Sequence, residues 1–430
     1  MAIRIPTRSS PRGRREARST VRLPDLTGLE RATLGSLIVI AVHAANTAAG
    51  AAAFGAGVLA LAGLAGLGWL FLVSGRAGRI AIAGGAGLGA LVMCLAVDGP
   101  HAAMNGIGRT DATGAASGLA GIVLLVVAFR LAFSGRRRRY QLLAIPAMLV
   151  MAQWVAVPAF NVGVITNAPR AAVRPASSLG YAEARDVSFR ASDGVPLAAW
   201  FIPGSSGAAV IVMHGSHGTR ESELPYVRLL AEARYGVLAV DARGHGESGG
   251  RTNALGWLGD RDVAGAVAFL RRQAGVDPRG IDSGLGLSMG AEELLRAAAD
   301  GVPLAAVVAD GAGASTAGDA STQPSGVTAP VADSVSWLTY RGVELVSGAG
   351  APAPLKDIVQ RVSSPVMLIA SNAPDERRID QRFRRVIGTS ASMWYVPDAG
   401  HTQAFGVHRA AYRARVLGFL GRALGMAGGR

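Results

Sequence analysis

The chain has 430 residues, half of them hydrophobic, and a net charge of +14. Its length suits two or three domains and its mean hydropathy is positive, which excludes a single soluble domain of ordinary composition. No nucleic-acid partner is expected, because the basic excess lies beside apolar runs before residue 166 and is not interleaved with aromatic residues.

The N-terminal part alternates basic and apolar segments. Residues 1–33 are polar and arginine-rich and contain three prolines, which predicts a disordered basic tail. Within residues 34–165, five segments are long enough to cross a bilayer and are apolar on all faces. They lie at about 34–51, 56–74, 80–97, 117–134 and 141–162. We therefore expect an all-α transmembrane bundle of about five helices, with the lipid bilayer as a partner.

The arginines give this module an orientation. The tail and the connections at 75–79 and 135–140 are basic, whereas the connection at 98–116 is not. Basic connections stay in the cytoplasm, so five crossings place the C-terminal half outside the inner (plasma) membrane. A cleavable signal peptide is the alternative interpretation of the first segment. Residues 166–184 predict a linker, with a separate domain over 185–430.

After residue 184, short apolar strands alternate with helical stretches, which is typical of a mostly parallel α/β sheet. The expected hairpin joins 185–189 to 197–202. The expected core strands are 208–213, 237–240, 284–287, 304–309, 365–370 and 392–396, and the expected helices lie near 221–233, 257–273, 289–300 and 403–424.

A Gly-x-Ser-x-Gly motif supplies the candidate nucleophile. In Gly286-Leu-Ser288-Met-Gly290, small residues two positions before and after the serine let a strand turn sharply into a helix. The serine oxygen then lies at a helix N-terminus, where developing negative charge is favoured. The motif follows a predicted strand and precedes a predicted helix, as this interpretation requires.

Three further motifs occur in the same order as in a known superfamily. They are Val210-Ile-Val-Met-His214-Gly215, Val240-Asp241-Ala-Arg243-Gly244-His245-Gly246-Glu-Ser248 and Val396-Pro-Asp398-Ala-Gly400-His401. With the serine motif, residues 185–425 resemble the α/β-hydrolase superfamily of serine hydrolases, including esterases, lipases and peptidases of the prolyl-oligopeptidase and aminopeptidase types. The resemblance implies a doubly wound, mostly parallel sheet and a Ser–acid–His triad without a cofactor.

The triad needs a base and an acid to activate Ser288. His401 is the base, since it can remove the serine proton and later protonate the leaving group. The acid is expected in the loop after strand 365–370, because this fold uses the order Ser, acid, His. Asp375 is the preferred acid, with Glu376 as the alternative and Asp310 as a weaker one.

Two backbone N–H groups should bind the oxyanion. Met289 follows the nucleophile and supplies one, and Ser216 supplies the other, with His217 as the alternative. His214 and His245 are expected to be structural. No set of His, Cys and acidic residues has metal-ligand spacing, so no metal site is expected.

The preferred function is hydrolysis of a carboxylic ester, thioester or amide through an acyl-enzyme on Ser288. A serine peptidase, an acyltransferase and a non-catalytic membrane sensor remain alternatives. Residues 312–355 predict a lid, whose segment 331–346 either lines the substrate pocket or covers the sheet as an ordinary helix. The sequence leaves the oligomeric state open.

Overall fold

The computed structural model describes residues 27–47, 63, 65–98, 109–134, 154–155, 157–166, 171–250, 254–277, 282–320, 329–373 and 375–425. We call the described part of 27–166 the helical region and that of 171–425 the sheet domain. Residues 1–26 of the predicted basic tail, 56–62 and 64 of the segment at 56–74, and 141–153 and 156 of the segment at 141–162 lie outside the described residues. The tail was predicted to be disordered, but its residues 28–33 form the first turns of a helix.

The helical region contains four bounded helices and a further helical stretch over 65–73. They are α1 (Gly28–Thr47), α2 (Arg76–Met93), α3 (Arg109–Phe133) and α4 (Val157–Thr166), and a π-helical turn over Cys94–Asp98 extends α2. In the described part of the chain, one helix is both long and apolar enough to cross a membrane, over Ala112–Phe133.

Helices α2 and α3 approach each other closely at two glycines. A Cβ atom added to Gly87 would lie 2.7 Å from the carbonyl oxygen of Gly121, and one added to Gly121 would lie 2.7 Å from the oxygen of Gly87. Small residues at such a crossing let two backbones touch. The two helices therefore pack through their main chains at this point.

The two ends of the helical region differ in their polar contacts. At one end, Arg76 donates from Nε to Leu131 O at 2.7 Å, and Arg79 pairs with Glu30 at 2.8 Å. At the other end, His43 lies 3.3 Å from Asp98, and α4 packs against the Cys94–Asp98 turn. The start of α2 and the end of α3 thus share the arginine-rich end, and α4 lies at the opposite end.

The sheet domain has eight strands in the order β1-β2-β4-β3-β5-β6-β7-β8. The antiparallel pairs are β1 with β2 and β2 with β4, and every other pair is parallel. The strands are Arg185–Arg190, Pro196–Ile202, Ala209–Met213, Gly236–Val240, Asp282–Leu287, Ala306–Asp310, Val366–Ser371 and Ala391–Val396. All eight predicted strands are confirmed, and the topology confirms the predicted α/β-hydrolase fold.

The helices of this domain cover both faces of the sheet. They are α5 (Leu224–Glu232), α6 (Gly259–Leu270), α7 (Met289–Ala299), α8 (Ala317–Ala320), α9 (Ala329–Ser347), α10 (Leu355–Ile358), α11 (Glu376–Ile387), α12 (Ala404–Val407) and α13 (Arg409–Ala423). One apolar core lies between the sheet and α6, α7 and α11, and the other between the sheet and α5 and α13. The alternation of buried strands with amphipathic helices produces this three-layer arrangement.

Two local features differ from the sequence expectations. Helix α11 was not expected, because five of its first ten residues are arginines and few are apolar. Residues 166–184 were predicted to be a linker. Within this segment, residues 171–184 pack against the strands and helices of the sheet domain instead. Ala176 and Leu179 are buried in its core, and Trp200 Nε1 donates to Arg174 O at 3.1 Å.

Candidate active site

Ser288 lies on a strained turn between β5 and α7. Its backbone has φ 51° and ψ −115°, a conformation that L-residues rarely adopt. The neighbouring glycines are required sterically, because a Cβ on Gly286 would lie 2.3 Å from Gly290 O and one on Gly290 would lie 2.3 Å from Met213 O. The Ser288 N–H donates to Asp310 O at 2.8 Å and fixes the turn against β6.

Ser288 and His401 are joined to a carboxylate by two hydrogen bonds. The Ser288 hydroxyl lies 2.8 Å from His401 Nε2, and His401 Nδ1 lies 2.8 Å from Glu376 Oε2. Nδ1 donates to the carboxylate, so Nε2 carries the lone pair that can accept the serine proton. This arrangement has the order and geometry that serine activation requires.

The carboxylate beside His401 belongs to Glu376, so the choice of Asp375 as the orienting acid is wrong. Asp375 has φ 64° and precedes α11, and its carboxylate pairs with Arg378 at 2.8 Å. The buried Glu376 also accepts hydrogen bonds from Ser371 N at 2.6 Å and from the Ser371 hydroxyl at 3.0 Å. Ser371, at the end of β7, therefore fixes the carboxylate in front of the imidazole.

His401 is held as a stronger base than an ordinary histidine. The hydrogen bond to Glu376 raises the pKa of His401 above 6.5, although partial burial acts in the opposite direction. Asp310, the weaker acid candidate, has no hydrogen bond to His401 among those described. It accepts a hydrogen bond from Tyr412 at 3.0 Å, and burial raises the pKa of Asp310 to about 7.

One predicted oxyanion donor, Met289, directly follows the nucleophile, and the loop that leads to the other, Ser216, begins next to it. Met289 is the first residue of α7, whose first N–H groups have no partner within the helix. A Cβ on Gly215 would lie 3.5 Å from Ser288 Cβ, so the loop that continues into Ser216 begins against the nucleophile.

The His214 ring is hydrogen-bonded to this loop and to the turn that follows β4. His214 Nδ1 donates to Gly215 O at 2.8 Å, and its Nε2 accepts from Ala242 N at 3.0 Å. Complete burial lowers the pKa of His214, and the two contacts suit the neutral ring. The expected structural role of His214 agrees with this geometry.

His217 connects the same loop to the helical region. Its Nε2 donates to Val164 O, in the last turn of α4, at 2.7 Å, while its Nδ1 accepts from the Ser216 hydroxyl at 3.2 Å. The sequence predicts a role for His217 only as an alternative oxyanion donor. Its contact with a residue 53 positions earlier in the chain has no local sequence signal.

The predicted lid contains helix α9, which packs on α4. Trp154 Nε1 donates to the Ser334 hydroxyl at 2.7 Å, and a Cβ on Gly342 would lie 2.4 Å from Val162 Cγ2. On the side of the sheet domain, Tyr340 stacks on Trp257 with ring centroids 6.4 Å apart. Helix α9 therefore lies between the helical region and the sheet domain.

The Asp241 turn contains a buried ion pair. Asp241 is fully buried and accepts hydrogen bonds from Arg220 Nη1 at 2.5 Å and from the Arg220 backbone N–H at 2.7 Å. The Arg220 side chain is also buried and makes a second contact, to Glu247. Because both partners of the inner pair are out of water, each depends on the other for compensation of its charge.

No protein-family model matches the chain. Over 260 residues it is 28% identical to the uncharacterized protein YfhR of Salmonella typhimurium, covering 56% of this chain and 83% of that protein. Over 143 residues it is 33% identical to an uncharacterized protein of Mycobacterium tuberculosis, covering 33% of this chain and half of that protein. A Pyrococcus furiosus esterase structure is 25% identical, with a TM-score of 0.46, covering 60% of this chain and 98% of its own. The α/β hydrolase GrgF from Penicillium is 19% identical, with a TM-score of 0.45, covering 56% of this chain and 99% of its own.

Proposed function

We propose that this protein hydrolyses a carboxylic ester through an acyl-enzyme on Ser288. The observation that carries the proposal is the continuous hydrogen-bonded series Ser288–His401–Glu376, with the serine on a strained turn at the start of α7. A serine that served only as a turn residue would not require a buried carboxylate aligned behind a histidine at this position.

Ser288, His401 and Glu376 each have a defined part in the proposed reaction. Ser288 Oγ attacks the ester carbonyl carbon while His401 Nε2 takes the serine proton, and Glu376 stabilises the imidazolium. The N–H groups of Met289 and Ser216 bind the oxyanion. Collapse expels the alcohol, which takes the proton from His401, and leaves the acyl group on Ser288. Water then attacks with His401 as base, releasing the carboxylic acid and restoring the serine.

Labelling with a fluorophosphonate tests the nucleophile, and a substrate panel tests the bond that is cleaved. We expect covalent labelling of the full-length protein and hydrolysis of p-nitrophenyl acetate. Amide and peptide substrates with the same acyl group distinguish a peptidase, which would cleave them at comparable kcat/KM. A protein that binds the probe only reversibly would be a sensor instead of an enzyme.

We further propose that the helical region is anchored in the inner membrane with the sheet domain on the extracytoplasmic side. The start of α2 and the end of α3 meet at the end that carries Arg76 and Arg79, next to Glu30 at the start of α1. Helix α4 lies at the opposite end of the helical region, and the sheet domain follows α4 along the chain. Arginine-rich ends stay in the cytoplasm, which supports this orientation.

A further inference from the structure

A cavity lies between α4 and α9. It has a volume of about 230 Å³ and is lined by Asn161, Val164, Ile165, Val335, Ser336, Thr339 and Tyr340. The first three residues belong to α4 and the other four to α9. Two parts of the chain that are far apart in sequence thus form opposite walls of one cavity.

A hydrogen bond links one wall of the cavity to the loop that begins next to the nucleophile. Gly215 lies against Ser288, and His217, two residues later, donates to Val164 O at 2.7 Å. Val164 itself lines the cavity. One wall is therefore hydrogen-bonded to the loop that is expected to bind the oxyanion.

Resting on the proposed ester hydrolysis, we propose that this cavity holds the acyl chain of the substrate, with α4 as one wall of the acyl site. The substrate class is an ester of an apolar acyl chain of medium length. Pockets for drug-sized ligands run from about 300 to 1,000 Å³. A cavity of about 230 Å³ therefore suits a chain shorter than that of a long fatty acid.

The surface of the same two helices fits an amphiphilic substrate. Phe160 on α4 is 44% exposed, and Trp337 on α9 is 53% exposed. Exposed large apolar side chains on the two helices that form a cavity suit a surface that contacts apolar molecules. An apolar chain that reaches the cavity from this side passes over side chains of its own polarity.

The test measures kcat/KM for p-nitrophenyl acetate, butyrate, octanoate and palmitate with the full-length protein in detergent micelles. For wild type we expect the maximum at butyrate or octanoate. Ser336→Phe fills the cavity and should lower kcat/KM for octanoate by about tenfold or more, since each methylene that loses apolar contact costs about fourfold. Acetate, which does not reach the cavity, should stay within about twofold of wild type.

The control is Leu345→Phe, which places the same ring on α9 at a position that is 86% exposed. This variant should leave kcat/KM unchanged for both the acetate and the octanoate ester. Val335→Ala enlarges the cavity at a buried position and should move the maximum toward palmitate. A loss of fluorophosphonate labelling in Ser336→Phe would indicate that this variant is misfolded. In that case the chain-length profile of Val335→Ala alone tests the acyl site.

The outcomes separate this inference from the proposed function. Equal losses on acetate and octanoate in a labelled Ser336→Phe protein, or an unchanged chain-length profile in both variants, would overturn the acyl site while ester hydrolysis stands. A wild-type protein that neither reacts with the fluorophosphonate nor hydrolyses acetate would overturn the proposed function itself.

Discussion

Glu376 Oε2 accepts a hydrogen bond from His401 Nδ1 at 2.8 Å, whereas the adjacent carboxylate of Asp375 contacts Arg378. Asp375 has a left-handed backbone conformation before α11, and Glu376 is the first residue of that helix. The two neighbouring side chains consequently point in different directions. Only the second one reaches the imidazole, and this difference can be tested directly.

Replacing the acid should separate the two carboxylates. Glu376→Gln should lower kcat on p-nitrophenyl acetate by roughly 10⁴-fold, because the amide no longer stabilises the imidazolium or fixes the Nδ1–H tautomer. Asp375→Asn is the matched control and should remain within about twofold of wild type. A larger loss from Asp375→Asn than from Glu376→Gln would contradict the geometry described here.

Ser288→Ala should abolish fluorophosphonate labelling and reduce ester hydrolysis to below about one-thousandth of wild type. The change removes a single oxygen from the turn, so thermal unfolding should be nearly unchanged. Both quantities are measured on the same preparation. Retention of labelling in a folded Ser288→Ala protein would assign the nucleophile to another residue.

The pH profile should reflect the contact between His401 and Glu376. This hydrogen bond raises the pKa of His401 above 6.5, so the imidazole stays protonated, and inactive as a base, up to a higher pH than usual. The kcat/KM for p-nitrophenyl acetate should accordingly decline as the pH falls through a midpoint above 6.5. The residual activity of Glu376→Gln should have a lower midpoint. An unshifted midpoint in this variant would show that Glu376 does not set the basicity of His401.

The buried pair of Arg220 and Asp241 should matter for stability and not directly for chemistry. Arg220→Met leaves the buried Asp241 carboxylate without its cation and should lower the free energy of unfolding by about 3–5 kcal/mol. Arg174→Met is the control, since Arg174 is half exposed and pairs with Glu221 near the surface, so its loss should cost about 0–1 kcal/mol. Urea unfolding of the full-length variants measures both. A similar loss of unfolding free energy in Arg220→Met and Arg174→Met would show that burial does not determine how much an ion pair contributes to stability.

The proposed orientation in the membrane is tested by cysteine accessibility, because Cys94 is the single cysteine of the chain. In a Cys94→Ala background, Ser192→Cys lies on an exposed loop of the sheet domain. Ala77→Cys lies next to Arg76, at the arginine-rich end of the helical region. A membrane-impermeant maleimide should label Ser192→Cys in intact cells and should reach Ala77→Cys only after permeabilisation. The reverse pattern would invert the topology and leave the enzyme assignment untouched.

Much of the sheet domain could be predicted because its signals are local. Each core strand is a short apolar run, and the positions of Gly286, Ser288 and Gly290 follow from the sterics of one turn. The order of motifs then places His401 after the last strand. These features depend on neighbouring residues, so periodicity and spacing suffice to find them.

The acid and the wall formed by α4 depend on contacts that spacing cannot specify. A choice between Asp375 and Glu376 requires the backbone angles at the start of α11. The contact from His217 to Val164 joins two regions that the sequence predicted to be separated by a linker. Tertiary packing decides both, and neither has a repeating pattern along the chain.

The crossing of Gly87 and Gly121 has a consequence for how the purified protein should behave. The two helices meet there through main-chain atoms at van der Waals distance, so their association at this point does not rely on the expulsion of water. Such a contact retains its strength when the surrounding medium is itself apolar. The α2–α3 pair is therefore the part of the helical region that should stay assembled across detergents of different chain length, and it offers a fixed reference against which motion of the other helices can be measured.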